Sequence, residues 1–100
     1  MHDDYYRYKK LRAAIVGASG YAGTELLRLL LDHPEVKVTA LYVSEQSVDA
    51  GKQIDEIDGR LCGRTDLKLQ PLSDPEAAAE NIEIVFLATE HEVSARLAPV

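Results

Sequence analysis

Ala13-Ala14-Ile15-Val16-Gly17-Ala18-Ser19-Gly20-Tyr21-Ala22-Gly23-Thr24-Glu25-Leu26-Leu27-Arg28-Leu29-Leu30-Leu31 is the stretch on which the fold turns. A short apolar run, three glycines spaced G-x-x-G-x-x-G and a leucine-rich segment follow one another without a break. The order predicts a buried strand, a tight turn and an amphipathic helix. Such a turn aims free backbone N–H groups and the positive end of the helix dipole at one point, which suits a phosphate. Gly17 is expected to end the strand at the sharp turn, Gly20 to let the backbone approach a pyrophosphate, and Gly23 to let the helix pack on the strand.

Working outward, the first strand reads Leu11 to Val16, apolar on both faces after Arg12, as in a parallel strand covered on both sides. The helix runs from Tyr21 to Asp32, with Leu26, Leu27, Leu30 and Leu31 on one face and Glu25, Arg28 and Asp32 on the other. Pro34 ends it by disfavouring helical geometry at His33. Val36 to Val43 alternates as a second strand, with Val36, Val38, Ala40 and Tyr42 expected on one face. Ser44 to Lys52 is a polar loop, and Gln53 to Thr65 is irregular with one short helical turn. Asp66 to Gln70 alternates as a short third strand. Ser73 with Glu76 forms a capping box for a helix through Glu80. Ile82 to Ala88 is a continuously apolar fourth strand, and Glu90 to Val100 reads as the start of another helix.

This succession predicts an α/β fold with a Rossmann-type doubly wound parallel sheet, its strands ordered third, second, first, fourth in space. The polar third strand suits the edge. The apolar fourth strand would need a neighbour that the pattern does not supply, so the sheet reads as truncated after its fourth strand. Residues 1–10 (Met1 to Lys10, with three tyrosines) follow neither period and read as a mobile tail. Residues 11–100 read as the N-terminal part of a dinucleotide-binding domain.

Composition narrows the function. The chain has 100 residues, 46% hydrophobic and 28% charged, enough for one small soluble domain with one core. A formal charge of -6 argues against nucleic-acid binding, which needs a basic surface, but not against one nucleotide held by local backbone dipoles. No apolar run approaches the roughly 20 residues of a membrane span. One cysteine, Cys62, cannot form a disulfide within the chain and fits a reducing, cytoplasmic setting. His2, His33, His91 and Cys62 share no ligand spacing, so no metal is assigned.

The cofactor type should be read at the tip of the second strand. There a carboxylate would favour NAD, and hydroxyls or cations would favour NADP. The tip is Ser44-Glu45-Gln46-Ser47. Ser44 and Ser47 could donate to a 2′-phosphate and Lys52 could reach in, while Glu45 reads as a solvated loop charge. This points to NADP (NADPH) rather than NAD. Arg60 and Arg64 could lower the Cys62 thiol pKa, yet Cys62 has no histidine near it in sequence and reads as a loop or packing cysteine. For His91, ligand contact and a helix start remain alternatives, and Ser94, expected to face the same way, shares them.

Beyond the glycine turn, His33-Pro34, the Ser44–Lys52 loop ending Asp-Ala-Gly-Lys, Leu69-Gln70-Pro71-Leu72-Ser73-Asp74 and Val85-Phe86-Leu87-Ala88-Thr89-Glu90-His91-Glu92-Val93-Ser94 occur in order. Together they resemble the N-terminal domain of the N-acetyl-γ-glutamyl-phosphate reductases, or N-acetylglutamate semialdehyde dehydrogenases, of arginine biosynthesis. Aspartate-semialdehyde dehydrogenase is a more distant likeness, with a similar two-serine loop. The resemblance implies an NADPH-dependent reduction of an acyl phosphate to a semialdehyde by a homo-oligomer. A cysteine thiolate attacks the acyl phosphate, phosphate leaves, and hydride reduces the thioester. The family's nucleophile lies in a Gly-Cys-Tyr-Pro motif that this sequence lacks, so no catalytic residue is assigned and the chain by itself is expected to be inactive. Carried over by position, Gly17, Ser19, Gly20, Tyr21, Ala22 and Gly23 resemble the pyrophosphate site. Ser44 and Ser47 resemble the adenosine-ribose contacts, and Ala88 and Thr89 would pass beside the nicotinamide.

Two other readings are open to the sequence. A short-chain-dehydrogenase-like or epimerase-like protein should carry a Tyr-x-x-x-Lys pair. Tyr5/Lys9 and Tyr6/Lys10 match only formally, in the tail ahead of the first strand. A non-enzymatic NAD(P)-sensing module would need an effector or dimer surface.

Overall fold

The structure, a computed structural model, describes residues 10–72, 81–88 and 93–97. These form a sheet of five strands: β1 (Leu11–Val16), β2 (Val36–Val43), β3 (Leu69–Pro71), β4 (Ile84–Ala88) and β5 (Val93–Leu97). Their order is β3-β2-β1-β4-β5, with all pairings parallel except β4 with β5. The expected 3-2-1-4 order is therefore present. The N-terminal tail apart from Lys10, the helix expected over Ser73–Glu80, Thr89 and His91 lie outside the described residues.

Helix α1 (Tyr21–Leu31) joins β1 to β2. Leu27 and Leu30 are buried on the sheet, Leu26 and Leu31 are partly so, and Leu29 is left exposed, as the helical period requires. The chain then leaves β2 on a long excursion before β3. This excursion contains one short helix, α2 (Ile54–Ile57), and a 3₁₀ turn at Gly59–Leu61. Ile54 and Leu61 are fully buried in the same cluster as Leu27 and Leu30, so the excursion and α1 cover the same face. Two right-handed crossovers stepping in one direction put their connections on one side of a parallel sheet.

Three expectations are corrected. The second strand does not alternate cleanly. Ala13 pairs with Val38 but Ala14 pairs with Ala40, which leaves Thr39 as a bulge residue whose hydroxyl donates to the Ala13 carbonyl at 3.4 Å. The bulge reverses the side-chain phase. Val36 and Val38 pack into the α1-side cluster with Leu41 and Val43, while Ala40 and Tyr42 join Ala14 on the opposite face.

The third strand is displaced from Asp66–Gln70 to Leu69–Pro71. The backbone ahead of it is engaged elsewhere. Leu67 accepts from Ile54 N–H at 3.0 Å, Leu69 exchanges bonds with Gly51 and Lys52 at 2.7 and 2.8 Å, and Lys68 bridges Gln53. Pro71, which has no N–H to give, closes this edge strand.

The last correction is the helix expected over Glu90–Val100. Residues Val93–Leu97 form β5 instead, antiparallel to β4, with Ala88 opposite Val93 and Ile84 opposite Leu97. The sheet is thus not truncated after its fourth strand. A helix there would have left the outer backbone edge of β4 without partners, and unpaired strand edges are costly. The alternation Val93-Ser94-Ala95-Arg96-Leu97 suits a strand equally well.

Candidate functional site

The glycine turn stands at the carboxyl ends of β1, β2 and β4, where open α/β sheets bind ligands. It is tied to the neighbouring strand through one atom. The Tyr42 carbonyl accepts from Gly17 N–H at 2.9 Å and from Ala18 N–H at 3.2 Å. Each glycine has a separate reason. Gly17 has a φ of +84°, and a Cβ there would collide with the Ala88 carbonyl oxygen. A Cβ on Gly23 would lie 2.8 Å from Ala18 Cα and would also meet the Gly17 carbonyl, so Gly23 packs against the turn itself rather than against the body of the strand. At Gly20 the nearest atom to a Cβ would be Gly17 O, at an ordinary 3.7 Å. The fold does not require glycine at position 20, which opens onto free space.

That space is a cavity of about 600 Å³ lined by Gly17, Ser19, Gly20, Tyr21, Ala22, Gly23 and Ala88. Gly20 is the N-cap of α1, so no side chain caps the helix, and the first turn carries no acidic residue. The first backbone bond of the helix is Thr24 N–H to Gly20 O at 2.9 Å. The N–H groups of Tyr21, Ala22 and Gly23 have no carbonyl within the helix to reach. A glycine cap that lines the cavity, set beside orphan donors and the helix dipole, is the form of an anion cradle. It fits a pyrophosphate.

A second cavity, of about 540 Å³, shares Gly17 with the first and is lined also by Val16, Ser44, Glu45, Gln46 and Leu72. Ser44 Oγ accepts from Gln46 N–H at 3.3 Å. Ser47 is not in the lining. Its backbone N–H donates to Ser44 O at 3.0 Å and its Oγ accepts from Asp49 N–H at 3.1 Å, which folds the loop tip tightly. The two cavities share Gly17, at the switch in strand order, and are referred to together as the groove.

The family described as "Semialdehyde dehydrogenase, NAD binding domain" matches residues 12–100. The chain belongs to this semialdehyde dehydrogenase NAD-binding-domain family. Among its relatives, it is 53% identical over 90 residues to N-acetyl-gamma-glutamyl-phosphate reductase of Pectobacterium carotovorum, which is 90% of this chain and 27% of that protein. The protein of the same name from Yersinia pseudotuberculosis is 56% identical over 89 residues, and that from Escherichia coli K12 is 53% identical over 89, each covering 89% of this chain and 27% of the relative. The chain thus spans about 27% of the length of the curated relatives it matches.

Within this semialdehyde dehydrogenase NAD-binding domain, the structure brings together seven of the residues named from sequence around Gly17, namely those of the first cavity, and sets Ser44 in the second. Thr89 and His91 lie outside the described residues. Ser94 sits exposed in β5 opposite Leu87 rather than on a helix. Lys52 lines neither cavity, its ammonium pairing with Asp49 at 3.1 Å. Cys62 is exposed at the end of the 3₁₀ turn and lines neither cavity. Sequence reasoning missed Val16, Gln46 and Leu72 as lining residues. Their signal was positional: each lies at or just past the carboxyl end of a strand. Among the described residues no cluster of three or more acidic, histidine or cysteine side chains could hold a metal, and no helix is long and apolar enough to cross a membrane.

The excursion is fastened to α1 by charge. Arg60 pairs with Asp58 and with Glu25 of α1, each at 2.7 Å, and Arg28 also reaches Glu25 at 2.9 Å. Arg64 takes Asp32 of the turn after α1 at 2.8 Å. The Arg60 hydrogen bond draws the Asp58 carboxyl down from 3.8 to about 2. A carboxylate depressed on folding stabilises the fold above its unfolded pKa and loses that contribution as pH falls through the folded one. Acid unfolding monitored by far-UV circular dichroism should therefore contain a component between about pH 4 and 2 that Asp58→Asn removes. The pair is partly exposed, so the component is small.

Proposed function

We propose that this chain is the NADPH-binding part of an enzyme that reduces N-acetyl-γ-glutamyl phosphate to the corresponding semialdehyde, a step of arginine biosynthesis. The observation that carries the reading is the glycine-capped start of α1 opening into a groove that runs from Ala88 to the Ser44–Gln46 tip of β2. In this reading Gly17, Ser19, Gly20, Tyr21, Ala22 and Gly23 hold the pyrophosphate. Ser44 and Ser47 meet the adenosine ribose and its 2′-phosphate, and Ala88 with Thr89 flanks the nicotinamide. The relatives bear the reductase name, which supports the acyl phosphate as substrate of the whole protein. Bound NADPH supplies the hydride. This chain's own residues would bind and position NADPH, with Ala88 at the end of β4 beside the nicotinamide. The chain holds no Gly-Cys-Tyr-Pro motif, so the nucleophile belongs elsewhere in the whole protein. That whole protein is a cytoplasmic homo-oligomer in the same reading.

The choice of NADPH over NADH rests on the Ser44 hydroxyl in the second cavity and on Ser47 just outside its lining, with Glu45 acting against it. Glu45 is exposed and lines the second cavity, where its carboxylate would repel a 2′-phosphate unless turned to water. Calorimetric titration of the chain with each nucleotide should give tighter binding of NADPH. Ser47→Asp should weaken NADPH by about ten-fold or more, the cost of setting like charges together, and leave NADH little changed. Glu45→Gln should strengthen NADPH. Superimposable curves for the two nucleotides in the unaltered chain would sink the NADP assignment, and no binding of either would sink the nucleotide site.

A further inference from the structure

Glu25 stands awkwardly for a residue near an anion cradle. It lies three residues beyond Ala22, roughly 4.5 Å of helix rise, and side chains on a helix lean towards its N-terminus. Glu25 thus stands within about one turn of the end of α1 that lines the first cavity. Left alone, it would set a negative charge one turn behind the donors meant for a phosphate. It is not left alone. Arg28 Nη2 bonds one carboxylate oxygen at 2.9 Å and Arg60 Nη2 bonds the other at 2.7 Å. Arg28 is a neighbour on the same helix, whereas Arg60 arrives across the fold from the 3₁₀ turn, 35 positions away in sequence. Arg60 is itself braced by both oxygens of Asp58, at 2.7 to 3.2 Å. It lines neither cavity of the groove.

We propose that Arg60 is a positioning residue for the dinucleotide: by neutralising Glu25 from outside the groove, it keeps the start of α1 attractive to the pyrophosphate. The inference rests on the nucleotide reading of the groove given above. It assigns a ligand-binding consequence to an ion pair that contributes little to stability in its own right, since Arg60 is about half exposed (53%). The carboxylate of Glu25 is held in its charged form by the same two guanidinium groups, so the charge to be masked is present at neutral pH. The mask is partial without Arg60, because Arg28 remains.

The experiment is a titration of NADPH into the wild-type chain, Arg60→Ala, Arg60→Lys and the double variant Glu25→Gln/Arg60→Ala, at low and high salt, each checked for native circular dichroism. Arg60→Ala should bind about three- to ten-fold more weakly at low salt. The deficit should vanish near 1 M salt, where the screening length falls to about 3 Å. Arg60→Lys should bind close to wild type, and removing the Glu25 charge in the double variant should restore affinity. A merely structural role for Arg60 would give a loss that salt does not erase and that Glu25→Gln does not relieve, and that result would overturn the proposal. So would wild-type affinity in Arg60→Ala at low salt while the wild type binds NADPH. A wild-type chain that binds no NADPH overturns the reading of the groove, and this inference falls with it.

Discussion

Gly20→Val leaves the chain folded and removes its nucleotide binding. The fold tolerates the change because the nearest atom to a Cβ at position 20 is Gly17 O at 3.7 Å and the backbone there is extended, with a φ of −77°. The cost to the helix cap is about 1 kcal/mol at most. The ligand does not tolerate it. A branched side chain at the N-cap fills the cradle and holds the phosphate away from the N–H groups behind it. Losing two hydrogen bonds to a charged group, at roughly 1.5–3 kcal/mol each, corresponds to about 100-fold or more in affinity. Urea unfolding alongside an NADPH titration reads both halves. A variant that binds as the wild type does would remove the cradle from the site.

Gly17→Ala gives the opposite pattern: the chain itself is destabilised. The residue sits at φ +84°, a region that costs an L-residue about 1–2 kcal/mol. The added methyl must also displace the Ala88 carbonyl at the end of β4, and overpacking of this kind costs about 1–3 kcal/mol. The two together come to about 3 kcal/mol, a large part of the roughly 5–15 kcal/mol that holds a domain. The urea midpoint should fall steeply. A midpoint within error of the wild type would mean that the turn relaxes without strain. Two glycines three residues apart thus divide their work: one serves the fold and the other serves the ligand.

Much of this was legible in the sequence because short-range patterns carried it. The span of β1, the leucine face of α1 and the 3-2-1-4 strand order follow from periodicity, glycine placement and the polarity of the edge strand. What was not legible depended on partners distant in the chain. The phase of Val36 and Val38 is hidden in the sequence because the Thr39 bulge is defined by pairing with Ala13 and Ala14, and β2 alone carries no mark of it. The third strand slipped because Leu67 and Leu69 bond to residues 51–54. The segment Glu90–Val100 reads as the start of a helix, and only the unpaired edge of β4 decides for a strand at Val93–Leu97. At the site, the glycine turn and Ser44 were visible as motif residues. Val16, Gln46 and Leu72 carry no motif and are recruited by where their strands end.

The bulge at Thr39 also bears on how this domain can vary. It divides β2 into two stretches that answer to different demands. Upstream, Val36 and Val38 serve the hydrophobic cluster under α1; downstream, the Tyr42 carbonyl holds the glycine turn and the strand runs on into Ser44. A bulge absorbs a change of one residue in length locally. A one-residue insertion or deletion ahead of residue 39 is therefore expected to be buffered before it reaches the groove. Loop grafts and register changes can be attempted at that end of the strand, while the other end must be kept residue for residue.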